Sequence, residues 1–330
     1  MELLEDILIE ARKLKASDLH LTANEFLTLR INGLLVKTKL LITQEQIDKM
    51  TAAILNEEQL KILQEVGELD CAYLDDKGLS YRLHAAKSKG EIILAFRIIR
   101  ANVPTCEELL LPEVVQGLAN LKQGLVLVCG ATGCGKSTTL AALIEKINNE
   151  RKVHIVTLED PIEYKYVNKK ALIHQREVGR DTTSFASGLR SALRQDPDVI
   201  LVGELRERET IAAALTAAET GHLVFATLHT NDVTGAITRI LDSFDEGRQL
   251  IRSQLAEVLE AIVCQELLLR ADGNDRVANF EVLIATPALR SLIREGRTHQ
   301  IASYLVTGRQ QGMLTKAEHR KFLKAQGIIE

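Results

Sequence analysis

Apolar and polar positions along this chain follow one rhythm up to about residue 100 and another after it. The chain begins with a helical spacing (Leu3, Leu4, Ile7, Leu8, Ala11, Leu14), followed by the strand-like runs DLHLT, LTLRI and LLVKTK. Residues three and four apart share a helix face, so the first segment predicts a helix with one buried side. Asn32-Gly33 between the last two runs predicts a tight hairpin, because a two-residue type I′ turn needs positive φ at both central positions. A helix over 44–64 follows. Three further strands, ELDCAYL, LSYRLHAA and EIILAFRII, are then parted by the turn-forming stretches DDKG and KSKG. Residues 1–100 therefore read as a small α/β domain, a sheet with helices packed on it.

Residues 101–112 lack periodicity and carry Pro104 and Pro112, which marks a linker. From Leu125 on, short β-rich runs alternate with helical patterns. LVLVC precedes a helix from Lys136 to about Asn148, and VHIVTLE precedes one near Ser184 to Arg194. DVILV precedes a helix near Glu209 to Glu219, and LVFATL comes next. Such alternation makes parallel βαβ crossovers, hence an open sheet covered on both faces. Helices are expected from Val233 to Leu241 and from Gly247 to Leu269, then a strand (ANFEVLI) and a helical tail. Residues 113–330 form this second domain.

Composition narrows the class. The 330 residues are 46% hydrophobic and 26% charged, with no Trp, as expected of a water-soluble two-domain α/β protein. The apolar runs are too short to cross a bilayer, and the acidic N-terminus MELLEDILIE lacks the bases of a signal peptide, so the expected location is cytoplasmic. Five cysteines form no CxxC pair, which argues against a zinc site or a disulfide framework. Net charge is −4 with no long Lys/Arg run, so the electrostatic footprint of nucleic-acid binding is absent.

The segment GATGCGKS fits GxxxxGK[ST] and lies between a strand and a helix, the context that motif needs. In such a loop the backbone N–H groups of Gly130, Ala131, Thr132, Gly133, Cys134 and Gly135 close around phosphates. Lys136 reaches the β/γ-phosphates, Ser137 ligates Mg²⁺, and Thr138 continues the helix N-terminus. ATP with Mg²⁺ is the implied cofactor. DPDVILVGE places Glu204 at the end of an apolar strand, where a Walker B carboxylate meets the metal or its water; a capping role for Glu204 is the alternative. TLEDPIEY puts Glu159, Asp160 and Glu163 after another strand of the same sheet, so their carboxylates are expected at one edge, unless this is only a solvated acidic loop. His222 and His229 bracket LVFATL. His229, at the C-terminal end, is the natural γ-phosphate sensor, while either ring alone is open to a structural role. Arg82, Arg97 and Arg100 lie on the strand-like runs leading to the linker. Cys134, beside phosphate-binding amides, is expected to favour the thiolate and to be oxidant-sensitive.

These motifs together resemble the secretion ATPases of the type II/type IV pilus superfamily, and most of all the PilT-type pilus-retraction ATPases of twitching motility. The resemblance runs over nearly the whole chain. It rests on ASDLHL, GATGCGKSTTLAALI, TLEDPIEY, SALRQDPDVILVGELR, TGHLVFATLHTND and TPALRSLIREGRTHQI. The last of these is similar to the retraction-type signature, whereas extension ATPases usually carry a further N-terminal domain and a tetracysteine insertion. The resemblance implies a PAS-like N-terminal domain, a RecA-like ATPase domain with C-terminal helices, and a homohexameric ring with ATP between the two domains. It implies that Glu163 and Glu204 position Mg²⁺ and polarise water, that His222 and His229 both reach the nucleotide, and that Arg82 and Arg97 are the interfacial arginines. The implied partner is an inner-membrane platform protein of the pilus machine, at the inner face of the cytoplasmic membrane. The sequence departs from the family at KSKG, where Lys87 or Lys89 stands in place of an arginine and cannot make its bidentate contact, and at Glu207, where Asp is usual. A related ATPase assembling a pseudopilus, or a non-hydrolysing regulator of a pilus motor, are the alternatives.

Overall fold

Among the described residues of the N-terminal half the alternating pattern becomes six strands and three helices. They are α1 (Glu2–Lys13), β1 (Asp18–Leu21), β2 (Glu25–Ile31), β3 (Leu34–Ile42), α2 (Gln44–Ile54), α3 (Glu57–Glu65), β4 (Glu68–Leu74), β5 (Ser80–Ser88) and β6 (Glu91–Ile98). The computed structural model describes residues 2–31, 33–76, 79–99, 103–273 and 275–330. Contacts divide the chain into two units, Met1–Ala101 and Asn102–Glu330.

In the first unit the strands form one antiparallel sheet in the order β3-β2-β1-β6-β5-β4. Leu4 and Leu8 of α1, Ile47 and Met50 of α2 and Leu63 of α3 pack with Leu19, Leu29, Leu83 and Phe96 of the strands. Alternation along β5 puts Tyr81, Leu83 and Ala85 in this core and Arg82 and His84 on the other face. The hairpin joins Ile31 to Leu34, with Gly33 at φ +83°; Asn32 of the expected turn lies outside the described residues, as does Arg100. The helix expected over 44–64 is two helices. Thr43 with Gln46 and Asn56 with Gln59 each close a capping box, so a second N-terminus starts where a single helix was read.

The second unit contains α4 (Glu113–Gly117), β7 (Gly124–Cys129), α5 (Lys136–Glu150), β8 (His154–Glu159), β9 (Leu172–Glu177), α6 (Phe185–Ala192), β10 (Val199–Val202) and α7 (Arg208–Glu219). It continues with β11 (Leu223–Leu228), α8 (Val233–Asp242), α9 (Arg248–Val258), β12 (Leu259–Leu269), β13 (Arg276–Ile284), α10 (Pro287–Arg294), α11 (Ile301–Thr307) and α12 (Lys316–Ala325). Its sheet has the order β13-β12-β7-β11-β10-β8-β9, parallel throughout except for β13. Leu125, Leu127 and Cys129 of β7 enter one core and Val126 and Val128 the other, so this central strand is apolar on both faces. Residues 103–112, read from the sequence as linker, contribute Cys106 and Leu111 to the second core.

Two elements of the second unit also differ from the sequence reading. The helix expected to run to Leu269 stops at Val258, and LEAIVCQELLL is strand β12, parallel to β7 and antiparallel to β13. A continuous apolar run is buried on either side as helix or strand, so periodicity alone does not distinguish them. LIHQRE, which has no clear alternation, becomes edge strand β9 because the backbone of β8 is there to pair with it.

Candidate active site

The phosphate-loop sequence forms the turn between β7 and α5. Gly130 has φ +144°, and a Cβ there would stand 2.4 Å from the Gln265 carbonyl oxygen and 2.5 Å from Cys134 Sγ. Gly135, at φ +89°, caps the N-terminus of α5. Lys136 is 8% exposed, and its Nζ donates to the carbonyls of Gly130 at 2.8 Å and Ala131 at 3.0 Å. The ammonium is thus folded across the mouth of the loop. Ser137 follows on the first helical turn, at the positive end of the helix dipole. Thr138 Oγ1 lies 2.9 Å from the Tyr164 hydroxyl, which ties that turn to the loop carrying Glu163. A cavity of about 480 Å³ opens beside residues 131–134, with Gln265, Glu266, Leu267 and Lys316 among its walls.

Because β11 lies between β7 and β10, the segment leaving β11 separates the phosphate loop from the end of β10. His229 occupies that segment. Its Nε2 is 3.0 Å from Glu204 Oε1 and its Nδ1 is 3.4 Å from Thr132 Oγ1. Burial, reinforced by the Lys136 charge, holds the imidazole below its ordinary pKa, against the opposing pull of Glu204. A neutral ring satisfies both contacts in one tautomer: Nε2–H donates to Glu204, and Nδ1 accepts from Thr132. Arg206, which sequence reasoning missed, also donates to Glu204 Oε1. Thr227 donates its hydroxyl to the Gly203 carbonyl, joining the ends of β11 and β10.

Of the three acids read at this edge, Glu159 is the last residue of β8. Glu159 turns inward, accepting from Thr157 Oγ1 at 2.6 Å and Gln175 Nε2 at 3.1 Å, and burial raises its pKa. The Glu163 backbone favours the ionised form of this carboxylate, against the effect of burial. The loop is held further by Gln175, whose Nε2 donates to the Tyr164 carbonyl at 2.7 Å, and by Glu177, which accepts from the Ile162 N–H at 3.1 Å. Both belong to β9, so missing that strand hid both. The Asp160–Pro161 peptide is cis.

His222 precedes β11, and its carbonyl accepts from the N–H of Gly124, the first residue of β7. A six-residue strand rising about 3.3 Å per residue separates the two ends by roughly 20 Å, so within one chain His222 does not join Lys136 and His229. Its Nδ1 instead contacts the Ala217 carbonyl at 2.9 Å and Thr220 Oγ1 at 3.2 Å. Arg82 and Arg97 face each other across β5 and β6, paired with Asp70 at 3.3 Å and Asp18 at 3.0 Å. Lys87 donates to the Gln64 carbonyl, and Glu207 occupies the N-cap of α7. The expected Cys134 thiolate is overturned: burial pushes the thiol up, and Lys136 offsets this only in part.

A magnesium ion fits the donors present. It takes few protein oxygens and keeps waters and phosphate oxygens, and the Ser137 hydroxyl with partly buried Glu204 offers such a set. Among the described residues no cluster of three or more His, Cys, Asp or Glu could hold a metal by itself.

Residues 105–324 match the family described as type II/IV secretion system protein. The chain belongs to that family. This type II/IV secretion system protein is 43% identical over 326 residues to the type IV pilus retractation ATPase PilT of Pseudomonas aeruginosa, covering 98% of this chain and 94% of that one. It is 47% identical over 289 residues to a twitching motility protein of Neisseria gonorrhoeae, covering 87% of this chain and 77% of the relative. The crystal structure of the pilus retraction motor PilT with bound ADP superposes with a TM-score of 0.85 at 40% identity, covering 96% of this chain and 95% of the other. The two-unit α/β organisation with a RecA-like second unit is as expected. Among the described residues no helix is long and apolar enough to cross a membrane.

Proposed function

We propose that this chain is an ATP-hydrolysing motor for type IV pilus retraction, working as a homohexamer at the cytoplasmic face of the membrane on a platform protein of the pilus machine. The observation that carries the chemical part is the connection from Thr132 of the phosphate loop through His229 to Glu204. In this reading Lys136 leaves the Gly130 and Ala131 carbonyls for the β- and γ-phosphates, while the N-terminal amides of α5 hold their oxygens. Ser137 and, through water, Glu204 and Glu163 would hold the Mg²⁺ that accompanies the nucleotide, which would supply neutralisation of the phosphate charge. Glu204 orients and deprotonates the attacking water, and His229 holds that carboxylate and registers the γ-phosphate next to Thr132. Arg82 and Arg97 are the stabilising guanidinium groups, and His222 acts outside its own chain's phosphate loop.

High identity to PilT over nearly the full length of both chains supports the cellular part. Deleting the gene tests it: cells are expected to keep surplus pili that do not retract and to lose twitching. Loss of all pili would favour an assembly role instead.

A further inference from the structure

One buried residue meets the phosphate loop at both of its fixed glycines, through its backbone at Gly130 and its side chain at Gly135, and comes from a strand that the motif does not include. Gln265 lies on β12, one residue past the Cys264–Cys129 pairing, where β7 has already turned into the loop. It is 2% exposed. Its Nε2 donates to the Cys134 carbonyl at 2.7 Å. Its backbone oxygen fills the space that a Cβ on Gly130 would need, and its Nε2 lies 3.2 Å from where a Cβ on Gly135 would stand. Its Oε1 is buried without a hydrogen-bond partner in the structure, and the residue lines the cavity beside residues 131–134.

We propose that Gln265 is a positioning residue for nucleotide binding: its amide holds the Cys134 carbonyl so that the N–H groups entering α5 converge on the phosphates. The inference rests on the phosphate-loop reading above and adds a residue to it. A peptide unit is planar, so fixing the Cys134 carbonyl also fixes the direction of the Gly135 N–H. Without the donor, that carbonyl is left buried and unsatisfied, and the loop is free to turn it toward solvent, taking the adjoining N–H out of line. The unpartnered Oε1 gives the amide no competing fixed partner, so its orientation is set by Cys134. Backbone contact explains the small residue at Gly130, whereas the side chain governs only the loop's aim.

Fluorescent-nucleotide titration and steady-state kinetics of Gln265→Met and Gln265→Glu test this. Gln265→Met keeps the length and loses the donor; its Kd and KM for ATP are expected to rise about ten-fold with kcat within two-fold. Gln265→Glu is expected to bind worse still near neutral pH. Protonation restores an O–H donor to its carboxyl group, so at pH 5.5 it should bind ATP more tightly than Gln265→Met at that pH. A purely space-filling role predicts equal affinities there. Parental affinity in folded Gln265→Met overturns the proposal, as does kcat falling with KM unchanged. If Gln265→Met does not fold, Gln265→Glu decides: affinity relative to the parent that fails to recover as pH falls overturns it. Lys136→Ala is the control, because parental ATP affinity in that variant would defeat the phosphate-loop reading itself.

Discussion

His229 Nε2 stands 3.0 Å from Glu204 Oε1, although the two residues leave different strands of the sheet. The imidazole bridges Thr132 of the phosphate loop and the Glu204 carboxylate. Removing the carboxylate's charge while keeping its shape therefore separates binding from hydrolysis. Glu204→Gln is expected to bind ATP within a few-fold of the parent and to turn it over about 10²- to 10⁴-fold more slowly, the range of a lost general base. Nucleotide titration and phosphate release measure the two; parental turnover would remove Glu204 from its assigned role.

Lys136 spans the loop mouth with two bonds to main-chain carbonyls. In Lys136→Ala the charge-assisted phosphate contacts are absent, and ATP affinity is expected to fall at least about a hundred-fold. Thermal unfolding without nucleotide should change far less than the nucleotide-induced rise in melting temperature, which should vanish.

Burial and Lys136 keep His229 neutral to lower pH than an ordinary imidazole. The acid limb of kcat/KM is therefore expected below pH 6.5, because protonating Nδ1 removes the acceptor facing Thr132. In His229→Gln this limb should disappear from a lowered profile. An acid limb centred at or above pH 6.5 in the parent would contradict the assignment.

His319 on α12 is buried, and its Nδ1 accepts the Phe280 N–H at 3.1 Å. Burial lowers its pKa to about 4. The folded value lies below the unfolded one, so the unfolded chain takes up the proton first. The associated stability is present above about pH 6.5 and is lost as pH falls toward 4. The parent is expected to lose about 1–3 kcal/mol over that window from this group, and His319→Gln to show a flatter dependence. Urea midpoints at pH 7.5, 5.5 and 4.5 measure the difference.

Gly130→Ala places a methyl group against the Gln265 carbonyl at a backbone angle that alanine avoids. A cost of about 2 kcal/mol or more is expected, together with weakened ATP binding. An unchanged melting temperature would mean that β12 yields easily.

Much of the site is local in sequence. The span Gly130 to Ser137 must be a strand-to-helix turn because its glycines sit at positive φ and its lysine and serine open the helix. The apolar runs of β7, β8, β10 and β11 are short, β-rich and bounded by turn residues, so they were readable as strands of a covered parallel sheet. Gln265, Gln175 and Glu177 were not readable in this way. The first lies in an apolar run that suits helix or strand, and the others in an edge strand whose pairing partner, rather than its own alternation, makes it extended.

By itself the sequence determined which groups the molecule can bring to a phosphate: amides, an ammonium, a hydroxyl, carboxylates and imidazoles, in the order expected of this family. Only the tertiary structure decided which of them meet. Parallel pairing set β11 between β7 and β10 and so carried His229 to Glu204 and left His222 at the opposite end of β11. It turned Glu159 into the interior and withheld a thiolate from Cys134. Those outcomes depend on strand order and burial, which arise from contacts between segments distant in the chain and are not encoded in the spacing of any one motif.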